Sequence, residues 1–279
     1  MNVLSLFDGM SCGRIALERA GIPVTNYFAS EVDKWSIAVA KENYPDTKHI
    51  GDVTQIKASD LPPIDLLIGG SPCQGFSFAG RQLNFDHPQS KLFFEFVRLL
   101  KELRPKYFLL ENVRMKKEFQ DIISQHLGVQ PIKINSALVS AQNRVRLYWT
   151  NIPNVTQPDD KGIFLKDILE TDVSDKFNSG AQKLGGKHKN MLNTAYKSQA
   201  NTIHDKDWKA PTICAGTHGY ALGHIQATAC YRKLTPVECE RLQTVPDNYT
   251  GVVSNTQRYK MLGNGWTVDV ISHILKNIK

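Results

Sequence analysis

Chemistry in this chain gathers at the ends of short apolar runs. The plainest case lies between Ile64 and Ser77 (IDLLIGGSPCQGFS), where Leu66, Leu67 and Ile68 read as a central parallel strand that Gly69 and Gly70 bring to a stop. Cys73 follows in a loop of Gly, Ser, Pro and Gln. In open α/β sheets, ligands occupy the crevice beyond the carboxyl ends of strands, so a thiol at this place faces a cleft. It can act as a nucleophile once nearby positive charge or backbone N–H groups lower its pKa from about 8.5. The other common fate of a free cysteine, that of a small buried hydrophobe, suits a packed face and not a loop of turn residues.

The first turn and the second strand form a comparable arrangement. Residues 7–13 (FDGMSCG) are a small-residue turn between a strand at 3–7 and a helix at 11–20, which Gly21 is placed to end. Glu31 closes the next strand, 27–30, at the spacing of about twenty residues with which dinucleotide-binding folds present a carboxylate to a ribose diol. GxGxxG, whose second glycine admits a pyrophosphate, is missing. An adenosine ligand without phosphates therefore fits better than a nicotinamide or flavin. Asp52, in a brief strand at 50–53, can accept a hydrogen bond from an adenine amino group.

The elements that must hold these residues alternate between strand and helix. Asp33 can cap a helix in which Trp35, Ala38 and Val39 share a side. Residues 92–103 form an amphipathic helix with Phe93, Phe96, Val97 and Leu100 inward, Pro105 stops it, and a strand at 107–110 ends at Glu111 and Asn112. This rhythm predicts an α/β fold with a doubly wound, mostly parallel sheet. From 151 to 231 periodicity fades and Gly, Asn, Lys, His and Thr become common, which marks a small loop-rich region. Order returns at Thr235, where Pro236 and Glu238 complete a capping box, and the chain closes with an amphipathic helix over 268–278. The division expected is 1–150, 151–231 and 232–279.

Composition narrows the classes. With 279 residues, 41% hydrophobic and 22% charged, the chain can bury a full-sized core. Five cysteines with no CxxC pair and no Cys/His cluster argue for a reducing compartment and against a disulfide scaffold or a structural metal. The first residues run into a strand without a basic leader, and no long apolar stretch follows, so the expected location is the cytoplasm. A formal net charge of +7 favours a polyanionic partner such as nucleic acid.

Taken in order, FDGMS at 7–11, Glu31, GDV at 51–53, GSPCQGFS at 70–77, ENV at 111–113, QNRVR at 142–146, RKLTPVE at 232–238 and GN at 263–264 closely resemble the DNA (cytosine-5) methyltransferase family over nearly the whole chain. The resemblance implies a Rossmann-like S-adenosylmethionine-dependent methyltransferase whose region 151–231 recognises the target. It implies methyl transfer to carbon 5 of cytosine in a short sequence of double-stranded DNA, with the base flipped out and Cys73 bonded transiently to carbon 6. Glu111 would hold the ring N3 and amino edge. Arg144 would bind the ring carbonyl oxygen, with Arg146 on the same strand face helping to fix the pocket. Cofactor contacts carried over are Phe7, Asp8, Gly9, Met10, Ser11, Glu31, Val32, Asp52, Val53, Pro72, Leu92, Asn264 and Trp266.

The same resemblance makes 76–91 a loop that closes over DNA, with Ser77, Arg81, Gln82 and Lys91 near phosphates, and makes Thr217 and His218 part of a base-reading loop at 212–220. S-adenosyl-L-methionine, giving S-adenosyl-L-homocysteine, is the implied cofactor, and no metal is implied. The implied partners are double-stranded DNA and a cognate restriction endonuclease, with the enzyme a monomer on DNA in the cytoplasm of a bacterial, archaeal or phage-infected cell. The chain departs from the family pattern at Asp8, Ser11 and Cys12, where many members have alanine and paired glycines. It departs again at Ala141, where proline is common, and at Trp266, where a smaller residue is common.

Three rival readings stay open on sequence alone. A tRNA cytosine-5 methyltransferase would use the same Cys and Glu; a silent DNA-binding relative would be expected to lack Cys73, Glu111 or Arg144; a cysteine hydrolase would need a histidine partner, and only His87 is near in sequence.

Overall fold

The computed structural model describes residues 1–72, 88–174, 177–179, 203–215, 224–226 and 231–279. Cys73, Ser77, Arg81, Gln82, Thr217 and His218 lie outside the described residues.

A seven-stranded sheet carries the positions predicted to do chemistry. Its strands are β1 (Asn2–Leu6), β2 (Asn26–Ser30), β3 (Lys48–His49), β4 (Leu66–Gly69), β5 (Tyr107–Val113), β6 (Ile132–Asn135) and β7 (Val145–Thr150), in the order β3-β2-β1-β4-β5-β7-β6. From β3 to β5 every pairing is parallel, and β7 runs antiparallel to β5. The mostly parallel, doubly wound sheet read from the sequence is the one observed. Parallel strands are covered on both faces, and β1, β4 and β5 are accordingly buried along almost their whole length.

Side chains alternate across the sheet, and that alternation sorts packing from chemistry. Leu4 and Leu6, with Phe28, Leu67, Phe108, Leu110 and Trp149, form one core with Phe93, Phe96 and Val97 of α3 (Pro88–Leu103) and Phe119 and Ile123 of α4 (Lys117–Leu127). Gly69, last in β4, is forced by this packing. A Cβ there would stand 3.0 Å from the Leu6 carbonyl oxygen and 3.2 Å from the Phe96 ring. The opposite face carries α1 (Cys12–Arg19), whose Arg14 guanidinium lies over the Tyr27 ring at 5.2 Å.

Local signals account for the helix ends. Asp33 caps α2 (Lys34–Asn43), its Oδ2 accepting from the Ser36 amide at 3.0 Å and the Ser36 hydroxyl at 2.9 Å. Thr235 and Glu238 close the predicted capping box at the start of α5 (Pro236–Leu242). α3 ends where Pro105 requires but begins at Pro88, earlier than the apolar face suggests. The brief strand expected at 50–53 is displaced. β3 ends at His49, and Asp52 instead caps a short 3-10 turn, Val53–Gln55.

The described chain divides into two compact units. The first comprises Met1–Ile134, Val145–Gln157 and Asp269–Lys279; the second comprises Asn135–Arg144 and Pro158–Val268. By compactness, residues 232–268 group with 158–231, and the chain returns to the first unit at Asp269 within α7 (Val268–Leu275). The second unit holds a small sheet of β8 (Asn178–Ser179), β9 (Ile203–His204), β10 (His224–Gln226) and β11 (Tyr231–Arg232), in the order β8-β11-β10-β9, together with α5 and α6 (Asn255–Asn264). Among the described residues no helix is long and apolar enough to cross a membrane.

In the small sheet, His204 and His224 lie buried on adjacent strands, and His204 Nε2 and His224 Nδ1 have no hydrogen-bond partner among the described residues. Burial, with His224 nearby, pushes the His204 pKa down to about 4; burial, with Lys233 nearby, lowers that of His224. A folded-state pKa below the unfolded value means that the folded chain binds fewer protons. Stability is therefore whole above pH 6.5 or so and is lost as pH falls toward 4. His204 alone should cost on the order of 2 kcal/mol between pH 7 and pH 5. Urea unfolding at the two pH values measures this, and His204→Phe should flatten the slope.

Candidate active site

The first turn is drawn against β2 by its backbone. Asp8 N–H donates to the Ser30 carbonyl at 3.0 Å, and Gly9 N–H donates to Glu31 Oε2 at 2.7 Å. The other oxygen, Glu31 Oε1, accepts from the amides of Val32 at 2.7 Å and Asp33 at 2.8 Å. Three backbone N–H groups thus fix the orientation of this carboxylate, which keeps lone pairs for further donors. Beside it, the Val32 side chain is 70% exposed, an open apolar surface next to an acceptor. Ser30 Oγ donates to the Gly51 carbonyl at 2.7 Å, which brings Asp52 to the same edge. Asp52 Oδ1 accepts from the Thr54 amide and hydroxyl, both at 2.9 Å, and its Oδ2 takes no bond from the described residues.

Several predicted contacts are turned inward. The side chains of Asp8, Met10, Ser11 and Val53 are buried, so only their backbone can meet a ligand. Phe7 and Leu92 are partly buried against the core, while Pro72 is half-buried and Lys91 exposed. Phe7, Gly9 and Ser11 all have left-handed backbone, with φ of 56°, 59° and 62°.

At the far end of β5, register brings two charged groups together. Glu111 stands opposite Tyr148 and Val113 opposite Arg146, so Glu111 and Arg146 share a face one pleat apart. Arg146 Nε lies 3.0 Å from Glu111 Oε1, and each side chain is about an eighth exposed, at 13% and 12%. Asn112 points to the other face. Its Nδ2 donates to Ser71 Oγ at 3.0 Å and to the Ser71 carbonyl at 3.3 Å, so β5 is tied directly to the residues that precede Cys73.

Arg144 is placed differently from the expectation that it shares a strand face with Arg146. β7 begins at Val145, and Arg144 lies ahead of it in the second unit, only 2% exposed. Its Nη1 donates to the Ile213 carbonyl at 3.0 Å, and its Nη2 donates to those of Gly263 at 3.0 Å and Gly265 at 2.9 Å. The physical reason is satisfaction of buried acceptors, which this guanidinium provides for two chain segments at once. The segments touch closely: a Cβ on Gly263 would lie 2.3 Å from the Cys214 carbonyl carbon, so only glycine fits.

Gln142 and Gln243, invisible as a pair in the sequence, extend the same buried network. Gln142 Nε2 donates to the Leu242 carbonyl at 2.7 Å and to Gln243 Oε1 at 2.8 Å; Gln243 Nε2 donates to the carbonyls of Leu262 at 2.6 Å and Gly265 at 3.0 Å. This network sets the turn that carries Asn264, which is exposed, and Trp266, which is half-buried. Among the described residues no group of three or more His, Cys, Asp or Glu side chains is arranged to hold a metal ion.

Comparison with known proteins gives a consistent result. The model of the C-5 cytosine-specific DNA methylase family matches residues 1–279. The chain is 33% identical to the type II methyltransferase M1.ScrFI of Lactococcus lactis subsp. cremoris, over 99% of this chain and 77% of that protein. It is 31% identical to the type II methyltransferase M.NlaX of Neisseria lactamica, over 99% and 96%. Among solved structures, the Entamoeba histolytica methyltransferase EhMeth superposes with a TM-score of 0.81 at 16% identity, covering 100% of this chain and 99% of that one. A DNA modification methyltransferase of an Escherichia coli prophage gives 0.77 at 21%, covering 100% and 98%. At such identities the structural likeness is one of fold.

The two arginines should separate in a stability measurement. Arg144→Met removes a donor from three carbonyls, of which that of Gly265 keeps Gln243 Nε2, and should lower the unfolding free energy by about 3 kcal/mol. Arg146→Met removes one partly exposed ion pair and should cost about 1 kcal/mol. Urea titrations of both variants test the contrast, and equal losses would remove Arg144 from its place at the centre of the network.

Proposed function

Because the chain belongs to the C-5 cytosine-specific DNA methylase family, its activity is methyl transfer to carbon 5 of cytosine in DNA, and we propose that it acts on a short double-stranded sequence through a transient Cys73 adduct. Inside the duplex the ring is out of reach. The target base is turned out of the stack, at a cost of a few kcal/mol that contacts in the pocket offset.

Carbon 5 of cytosine is a poor nucleophile. Addition of the Cys73 thiolate to carbon 6 forms an S–C bond and moves the electron pair of the 5,6 double bond into an enamine, which makes carbon 5 nucleophilic. Bound S-adenosyl-L-methionine supplies an electrophilic methyl group on a sulfonium. Once carbon 5 is methylated, loss of its proton restores the double bond and expels Cys73.

The Glu111–Arg146 pair carries this reading. A carboxyl group beside a guanidinium offers an acceptor and proton carrier for the ring N3 and amino edge, together with N–H donors for the ring carbonyl oxygen. We assign the carbonyl contact to Arg146 in place of Arg144, whose guanidinium already serves three backbone carbonyls. Arg144 becomes a positioning residue. The tie from Asn112 to Ser71 supports a fixed approach for the Cys73 loop.

The residues at the first turn fit an adenosine without phosphates. Glu31 keeps acceptor capacity for a ribose diol, Asp52 Oδ2 for an adenine amino group, and exposed Val32 for the face of a base. Phe7, Gly9, Pro72, Leu92, Asn264 and Trp266 complete the proposed contacts. Lys91 is exposed, as a phosphate contact requires, and Ser77, Arg81, Gln82, Thr217 and His218 are proposed with it. We place the enzyme in the cytoplasm as a monomer on DNA, and the type II names of its relatives support a cognate restriction endonuclease as its partner.

Cys73→Ser should bind S-adenosyl-L-homocysteine as the parent does, lose methyl transfer to duplex DNA, and form no covalent complex with DNA carrying 5-fluorocytosine. Transfer at the parental rate by this variant would refute the adduct. Running the parent enzyme on tRNA alongside duplex DNA separates the nearest rival, since faster transfer to tRNA would overturn the DNA assignment.

A further inference from the structure

We infer that Tyr27, Asp8 and Ser11 form a positioning clamp, one that aims the Glu31 carboxylate at the cofactor ribose without itself touching the cofactor. The inference rests on the reading of Glu31 as the ribose ligand.

Asp8 is one of the positions read from the sequence as a departure from the family pattern, and the structure gives its side chain a use. Its carboxyl is buried with both oxygens engaged: Oδ1 accepts from the Tyr27 hydroxyl at 2.7 Å and Oδ2 from the Ser11 hydroxyl at 2.5 Å. Burial raises the Asp8 pKa above the usual carboxylate range, with Glu31 adding to the rise, and raises that of Tyr27 well above the ordinary phenol value. Neither group is available to a ligand.

The surrounding backbone explains why such a clamp is needed. Phe7 and Ser11 both have φ near +60°, a conformation that costs a side-chain-bearing residue energy and persists only where neighbours over-determine it. Here the neighbours are the Asp8 amide on the Ser30 carbonyl, the Ser11 amide on the Asp8 carbonyl at 3.1 Å, and the Asp8 carboxyl on Tyr27. Tyr27 is itself held: Arg14 covers its ring and Tyr44 at 5.2 Å and 4.8 Å and pairs with Asp46 at 2.8 Å. Ser11 sits at the N-cap of α1 yet makes no side-chain cap bond, because its hydroxyl is turned to Asp8. The left-handed turn that results points the Gly9 N–H at Glu31 Oε2. Without the clamp the turn can relax, and Glu31 loses the donor that fixes its second oxygen.

Calorimetry with S-adenosyl-L-homocysteine on the full chain, without DNA, tests the inference. Tyr27→Phe removes the hydroxyl and keeps the ring; Ser11→Gly removes the other hydroxyl and tolerates the positive φ. Each should weaken binding by about three- to tenfold. In a Glu31→Ala background neither should weaken it further, because the clamp acts only through Glu31. Unchanged affinity in a folded Tyr27→Phe or Ser11→Gly, or a loss that persists in full in the Glu31→Ala background, would overturn the clamp. Unchanged affinity in Glu31→Ala alone would instead overturn the reading of Glu31, so the two failures are distinguishable.

Discussion

Strand register is the constraint on which this molecule depends. Glu111 meets Arg146 because the pairing of β5 with β7 sets Glu111 opposite Tyr148 and Arg146 one pleat further along the same face. A slip of one residue would turn Glu111 onto the face of Leu110 and Trp149 and bring Asn112 to Arg146. The slip is resisted because Leu110, Leu147 and Trp149 belong to the core on the other side. Packing that takes no part in the chemistry is what fixes the chemistry in place.

Satisfaction of buried polar groups is the second constraint, and it separates residues that sequence spacing makes look alike. Arg144 and Arg146 are two residues apart in one motif, yet one serves backbone carbonyls and the other serves a carboxylate. In a low-dielectric interior a carbonyl without a donor is costly, and three such carbonyls converge on the first arginine. The amides of Gln142 and Gln243 follow the same logic, each donating twice to buried acceptors. A closed network of this kind rigidifies the turn at Gly263 to Gly265 in a way that apolar packing around exposed carbonyls does not.

What the sequence made legible was what local physics decides. The Asp33 cap, the Thr235 and Glu238 box and the stop at Pro105 rest on neighbours a few residues apart, and the structure has all three. Burial at the strand ends was legible too, since Leu66 to Ile68 can be read as a covered run. The small sheet was not, because strands of two or three residues are too short to show alternation. Asp8 entered as a cofactor contact through the family resemblance alone, and nothing in its turn announces a buried carboxyl. Its partner Tyr27 lies nineteen residues away, and no spacing rule joins them. The separate fates of Arg144 and Arg146 turn on carbonyls some seventy and one hundred and twenty residues distant.

Two carboxylates at the strand ends show how surroundings divide the labour. Glu31 is oriented by three neutral N–H groups, an environment that fixes direction and leaves the side chain an acceptor. A ribose diol, which offers hydroxyl donors, asks for nothing more. Glu111 is oriented by a guanidinium, whose fork carries further N–H groups than the single ion pair uses. A cytosine edge presents a donor, a ring nitrogen and a carbonyl acceptor side by side, so it calls for acceptor and donor together. Under the proposed assignment, exchanging the two environments would leave the ribose facing an unneeded cation and the base without a donor for its carbonyl. The partner of each glutamate, more than the glutamate itself, therefore sets which ligand it can serve.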